Sequence, residues 1–130
     1  MPNGLKPKWL KHYEPGVSAY LEYPKLTLSQ VLHQTTAKYP DHTAFIFLEK
    51  QWTYRQFNDL VSKMANALID LGLVTGDTVG IYLPNSPQFL IAYYGILRSG
   101  GIAVPINPML TGHDLAFIIK DAGMKILITS

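Results

Sequence analysis

The sequence predicts an α/β fold, in which helices alternate with short apolar strands of a parallel sheet. Its clearest unit runs from Leu97 to Leu110: an apolar helix ends, the chain turns at Gly100-Gly101, and a short apolar run leads to Asn107-Pro108. Helices commonly end at glycine, which adopts the left-handed conformation without a Cβ penalty. The apolar run is expected of a strand buried on both faces of a parallel sheet. Pro105 lies within it and lacks an N–H, so it belongs near the strand's end or at a bulge.

Composition indicates one domain with a substantial core: of 130 residues, 48% are hydrophobic and 15% charged. A net charge of +2, without a basic stripe interleaved with aromatics, argues against a nucleic-acid partner. The absence of cysteine excludes disulfides, thiolate metal sites and a cysteine nucleophile. Residues 1–16 lack the apolar core of a secretory signal, and the apolar run at residues 89–97 is far shorter than the ~20 residues of a membrane span. We therefore expect a cytoplasmic protein.

Residues 1–25 are predicted to be an extended N-terminal arm that precedes a domain at residues 26–130. The arm carries four prolines and no helical or alternating period. Trp9 and Tyr13 stand among lysines, so the arm could contact a membrane surface, where the protein would be peripherally associated, or a second copy in a homodimer. The alternative is that the arm packs along its own domain or onto a neighbouring subunit.

Three helices are predicted to start at the same capping motif, a threonine followed three residues later by a side chain that can accept a hydrogen bond. The threonine can cap free N–H groups while its partner reaches back. Each start is followed by apolar residues at helical spacing. The starts are Thr27–Gln30, Thr53–Gln56 and Thr111–Asp114, and the helices are expected to stop at Pro40, Gly72 and Gly123.

A fourth helix is predicted to start at Ser86-Pro87, a capping hydroxyl before a proline at the first helical position. Residues 89–97 are apolar nearly all round, so this helix should be deeply buried.

The remaining apolar runs predict strands. An antiparallel hairpin is expected from residues 43–48 and 51–54, joined at Glu49-Lys50. Residues 78–83, 102–106 and 125–129 alternate with helices, which indicates parallel strands with right-handed crossovers.

Ligands of open parallel sheets sit beyond the carboxyl ends of the strands. Here that edge comprises Pro84-Asn85-Ser86 and Asn107-Pro108-Met109. A third loop would follow Ser130, so we expect the chain to be a fragment of a longer protein.

The residues contain no catalytic constellation. The four histidines lack metal-ligand spacing, there is no Gly-x-Ser-x-Gly elbow, and the glycines match no phosphate-binding motif. Arg98 is interpreted as complementing the helix dipole rather than contacting phosphate. Tyr82, Tyr93 and Tyr94 are interpreted as core rather than pocket residues.

Several longer segments resemble the opening of adenylate-forming (AMP-binding) enzymes, a superfamily of acyl-CoA synthetases, peptide-synthetase adenylation domains and luciferases. They are W-T-Y-R-Q-F-N-D-L at residues 52–60, N-A-L-I-D-L-G-L-V-T-G-D-T-V-G-I at 66–81, and P-N-S-P-Q-F-L-I-A-Y-Y-G-I-L-R-S-G-G-I-A-V-P-I-N-P at 84–108. The similarity runs from about residue 27 to 130. It implies the N-terminal lobe of such an enzyme, and the V-P-I-N-P wording favours a bacterial long-chain fatty-acid–CoA ligase.

The resemblance implies a two-step reaction in which ATP, with Mg²⁺, and a fatty acid give an acyl-adenylate, and coenzyme A (CoA) then displaces AMP. The family's phosphate loop, metal contact and catalytic lysine have no counterpart in residues 1–130, so no catalytic or metal-ligating residue is assigned, and the fragment alone should bind no cofactor and be inactive. The resemblance places the loop at Ile106-Asn107-Pro108 roughly where related enzymes pass CoA near the substrate. Together with the strand-end edge, this predicts Asn107, Pro108, Met109, Asn85 and Ser86 at the rim of the substrate or CoA channel. The alternative is that Asn107-Pro108 merely terminates a strand. Two further hypotheses for the chain are a non-catalytic α/β binding or assembly module and a different adenylate-forming enzyme.

Overall fold

The computed structural model describes residues 8–130, in which four α-helices and five strands follow a short 3₁₀ helix at Lys8–His12. The helices are α1 (Leu28–Lys38), α2 (Tyr54–Asp70), α3 (Pro87–Arg98) and α4 (Gly112–Asp121). The strands are β1 (Thr43–Phe47), β2 (Lys50–Thr53), β3 (Thr78–Tyr82), β4 (Ile102–Pro105) and β5 (Met124–Thr129).

All four predicted helix starts are confirmed. Thr27, Thr53 and Thr111 each accept a hydrogen bond from the backbone N–H three residues on, and the side chain of that later residue accepts from the threonine N–H. Ser86 caps α3, with Pro87 at its first turn.

The strands form two sheets, as predicted. β1 and β2 are an antiparallel pair, whereas β3 is the centre of a parallel sheet in the order β4-β3-β5. The two crossovers run in opposite directions across this sheet, so the right-handed rule places α3 and α4 on opposite faces. Val79 and Ile81 are fully buried, in the same cluster as Ala92 and Ile96 of α3.

A second cluster joins the hairpin to the helices. Leu32, Phe57 and Val61 are its buried members, and the Phe57 ring meets Phe45 of β1 and Tyr94 of α3 edge to face, at centroid distances of 5.3 and 5.5 Å. Because α2 also contributes Leu68 to the first cluster, this helix contacts both clusters and links the hairpin to the parallel sheet.

The hairpin turn lies one residue earlier than predicted, at Leu48-Glu49 instead of Glu49-Lys50. Both turn residues have positive φ, 45° and 66°. Positive φ at both positions is characteristic of a two-residue loop of type I′, whose twist matches that of its strands. The sequence lacks the Asn-Gly pair that usually marks such a turn, so its position was not readable.

The expectation that the strand at residues 102–106 is buried on both faces is wrong. β4 is an edge strand in the part of the chain described, and the Ile102 side chain is 53% exposed. Pro105 ends the strand, as predicted. α3 is less deeply buried than expected: Pro87, Ala92, Gly95 and Ile96 are buried, and most of its other side chains are half-buried.

Within the N-terminal arm, residues 1–7 lie outside the described part. Residues 8–12 form the 3₁₀ helix instead of an extended chain, and side chains from residue 8 to 25 are exposed except for half-buried Leu10. No helix among the described residues is long and apolar enough to cross a membrane.

Candidate functional site

The carboxyl ends of β3 and β4 open onto a shared groove, as the parallel topology requires. Its volume is about 420 Å³. Ile106 fixes the two strand exits side by side: its side chain is buried, and its N–H donates to the carbonyl of Ile81 at 2.9 Å. The groove is lined by Leu83, Pro84, Asn85, Phe89, Pro105, Ile106, Asn107 and Pro108.

Three of the five predicted site residues, Asn85, Asn107 and Pro108, line this groove. Ser86 does not. Its hydroxyl accepts from the N–H of Phe89 as the cap of α3, and it lines a neighbouring pocket. Met109 lies outside the groove with 86% of its surface exposed.

The loop after β4 is a hydrogen-bonded turn. The Asn107 side-chain oxygen accepts from the Met109 N–H at 2.9 Å, and the Asn107 carbonyl accepts from the Leu110 N–H at 3.1 Å. Asparagine favours such turns because its side chain imitates a backbone acceptor. Asn107-Pro108 therefore does terminate the strand, and the same turn forms one wall of the groove.

Tyr82 holds this turn to the sheet, a role that the sequence interpretation missed. The tyrosine is the last residue of β3, and its hydroxyl lies 3.0 Å from the carbonyl oxygens of both Pro108 and Leu110. The one signal in the sequence was a tyrosine at the end of an apolar strand. The hydroxyl of a packed tyrosine usually forms a hydrogen bond, so a partner for Tyr82 could have been expected.

The groove has no acid–base chemistry of its own, since none of its lining residues is ionisable. Among residues 8–130, the two groups whose pKa is displaced lie away from the groove. A hydrogen bond from Lys125 lowers the pKa of Asp77, which precedes β3 at the opposite edge of the sheet, and burial lowers the pKa of Arg98 at the end of α3. The groove can therefore bind and orient a ligand through apolar and amide contacts.

Arg98 does more than face the end of its helix. Its guanidinium donates to the carbonyl and the side-chain oxygen of Asn58, at 3.1 and 2.8 Å, and to the Ser62 hydroxyl at 2.7 Å. These bonds join α3 to α2, so Arg98 is committed to the scaffold.

An apolar pocket of about 260 Å³ adjoins the groove, and Asn85 lines both. The hairpin contributes Phe45, Ile46 and Phe47 to its wall, and α3 contributes Pro87, Phe89 and Leu90. A larger depression between β2 and α2, lined among others by Lys50, Trp52 and Lys63, is remote from the strand ends and is wide open.

A match to a protein-family model shows to which family this chain belongs. Residues 32–130 match the model of the family described as "AMP-binding enzyme". The chain belongs to the AMP-binding enzyme family. This confirms the resemblance found in the sequence, and the α/β architecture is that of the N-terminal subdomain of adenylate-forming enzymes.

Two curated relatives and one solved structure show the range of this AMP-binding family. The chain is 39% identical over 121 residues to a long-chain-fatty-acid–CoA ligase of Bacillus subtilis, which is 93% of this chain and 22% of the ligase. It is 35% identical over 111 residues to a plipastatin synthase protein of the same species, covering 85% of this chain and 4% of that synthase. It superposes on the N-terminal domain of FACL13 from Mycobacterium tuberculosis with a TM-score of 0.73 and 34% identity, covering 76% of this chain and 26% of that one.

The Mg²⁺ that the family's chemistry implies finds no site in this region. Among residues 8–130 no group of three histidine, aspartate or glutamate side chains converges, and Mg²⁺ binding depends on carboxylate oxygens together with substrate phosphates.

Proposed function

We propose that the chain forms the N-terminal part of a fatty-acid–CoA ligase. Such an enzyme converts ATP and a fatty acid to an acyl-adenylate and pyrophosphate, and then transfers the acyl group to the CoA thiol with release of AMP. The observation that carries this proposal is the 39% identity to a long-chain-fatty-acid–CoA ligase over 93% of this chain. Because the chain spans 22% of that relative's length, the activity, with its ATP, Mg²⁺ and CoA, is proposed for the longer protein.

The role proposed for this region is to shape the path of CoA towards the acyl-adenylate. The pantetheine arm of CoA carries amide groups on a flexible chain, so it needs both hydrogen-bonding and apolar contacts. The groove offers the Asn85 and Asn107 side-chain amides beside Pro108, Phe89 and Leu83. Binding that holds the thiol near its target converts a bimolecular step into an effectively unimolecular one.

The substrate class is tested with the full gene product, by measuring CoA thioester formation with a panel of carboxylic acids. We expect activity with medium- or long-chain fatty acids and none with free amino acids. Thioester formation from amino acids in preference to fatty acids would contradict the proposal.

The second candidate is adenylation of an amino acid for peptide synthesis, which the 35% identity to the plipastatin synthase protein favours. The same panel separates the two, because this activity gives amino-acid-dependent ATP–pyrophosphate exchange without release of a CoA thioester.

We also propose that the N-terminal arm contacts a surface outside its own domain, either a bilayer beside a cytoplasmic enzyme or a second copy. The support is its exposed aromatics: Trp9 is 62%, Tyr20 64% and Tyr23 78% exposed.

Deletion of residues 1–24 should leave the melting temperature nearly unchanged, because these side chains bury little surface. Loss of co-sedimentation with anionic vesicles identifies the bilayer, and a halved molecular mass identifies the second copy. A deletion that changes neither property contradicts the arm's proposed role.

A further inference from the structure

Tyr82 stands where the centre of the sheet meets the groove. β3 pairs with β4 on one side and with β5 on the other, and its pairing with β4 ends at Ile81, opposite Pro105. Tyr82 itself pairs with Thr129. Because side chains alternate along a strand, Tyr82 shares a face with Gly80, opposite the face on which Val79 and Ile81 join the α3 cluster.

That face is closely packed next to the tyrosine. A Cβ on Gly80 would lie 2.7 Å from the Met124 sulfur and 2.8 Å from Leu127 Cδ1, both of β5. This packing holds β3 against β5, and the Tyr82 hydroxyl is presented at the end of β3.

The hydroxyl bridges two carbonyl oxygens on either side of Met109. Its single proton is shared between Pro108 and Leu110, both at 3.0 Å. The first belongs to the groove wall, and the second directly precedes Thr111, the cap of α4. One side chain thus sets the turn and the start of the next helix relative to the central strand, across 26 to 28 positions of sequence.

We propose that Tyr82 is a positioning residue for CoA: its hydroxyl holds the Asn107–Leu110 turn at the distance from β3 that the pantetheine arm requires. This inference rests on the proposed function. Without the hydroxyl the turn keeps its internal Asn107 bonds and the backbone bond from Ile106 to Ile81. It loses its side-chain link to β3, so the position of the turn, and with it the width of the groove, varies more.

The test is Tyr82→Phe in the full gene product, which removes the hydroxyl and keeps the ring. The two half-reactions are measured separately: fatty-acid-dependent ATP–pyrophosphate exchange without CoA, and thioester formation as a function of CoA concentration. We expect exchange within about twofold of wild type and a KM for CoA raised about 3- to 10-fold, the range that loss of one neutral hydrogen bond produces. Because the turn is then tied less firmly to β3, its Asn107 bonds should open more often, and hydrogen exchange at the Met109 and Leu110 amides should become faster.

The matched control is Tyr94→Phe. Tyr94 is half-buried on α3, packs against Phe57, and its hydroxyl makes no hydrogen bond within residues 8–130. The Tyr94→Phe substitution should leave the rates of both half-reactions and the hydrogen exchange of the turn unchanged.

The outcomes separate the two proposals. An active wild type in which Tyr82→Phe leaves the KM for CoA unchanged, or raises the KM for ATP and fatty acid equally, overturns the positioning role alone. A wild type that adenylates acids but forms no CoA thioester overturns the proposed function, and the CoA role of Tyr82 with it.

Discussion

At the residue scale, the strongest polar link between helices is Arg98. Three hydrogen bonds from its guanidinium end on Asn58 and Ser62 of α2, and all three originate from a charged donor, the class of hydrogen bond that contributes most to stability. The other arginine, Arg55, pairs with Asp41 across the surface, where the two side chains are 59% and 78% exposed.

Replacing Arg98 with alanine should lower the free energy of unfolding by about 1.5–3 kcal/mol, because the oxygens of Asn58 and Ser62 lose a charged donor. Arg55→Ala is the control and should change it by less than about 1 kcal/mol, as is usual for an exposed pair. Urea unfolding of both variants gives the comparison. Equal effects of the two substitutions on the free energy of unfolding would contradict the stabilising link between α3 and α2 that is assigned to Arg98.

Asp77 makes the stability of the fold depend on pH. Its carboxylate accepts from Lys125 Nζ at 2.8 Å and from the Val74 N–H at 2.7 Å, and these bonds lower its pKa below the ordinary value of 3.8. A carboxyl group whose pKa is lower in the folded state stabilises the fold above its unfolded pKa, and that stabilisation disappears as the pH falls through the folded pKa.

Asp77→Asn should therefore lower the melting temperature at pH 7, with the difference from wild type shrinking below about pH 4. Thermal unfolding between pH 2 and 7 measures this difference. A gap that stays constant across the range would show that the Asp77 charge contributes nothing.

At the element scale, the close approach of α2 and α3 depends on a glycine. A Cβ on Gly95 would lie 2.8 Å from Met64 Cβ, which belongs to the rigid root of that side chain. Gly112, at the start of α4, has no atom within 4 Å of the same position.

Gly95→Ala should destabilise the protein by about 1–3 kcal/mol, because the two helices must move apart. Gly112→Ala should be neutral or stabilising by up to about 1 kcal/mol, since alanine is the better helix former. Chemical denaturation of the two variants checks the sign of each effect. A neutral Gly95→Ala would contradict the close helix contact.

The helices were predictable because their signals are local: a cap at Thr27, Thr53, Thr111 or Ser86 needs only the three residues that follow it. The hairpin turn was missed by one residue because Leu48 and Glu49 adopt positive φ under the constraint of strand pairing. The exposure of β4 depends on which strands are its neighbours. Likewise the Tyr82 bond joins positions 26 and 28 residues apart, a distance at which composition and periodicity carry no information.

At the scale of the whole molecule, the described region is a scaffold, and we propose that the edge at the ends of its parallel strands faces the ligand. Its buried clusters lie between α2, α3 and the sheet and beneath the hairpin, while the groove at the strand ends carries amide and apolar groups only. Large apolar side chains such as Ile102, Phe117 and Met109 are more than half exposed. Exposed apolar side chains are common on protein surfaces, so these three by themselves identify no interface.

The central claim is that this region shapes a site whose reacting groups lie elsewhere in the enzyme. ATP–pyrophosphate exchange with a fatty acid tests it most directly, measured on residues 1–130, first shown to unfold cooperatively, and on the full gene product. We predict exchange for the full product and none above the blank for residues 1–130. Exchange catalysed by residues 1–130 alone would contradict the claim.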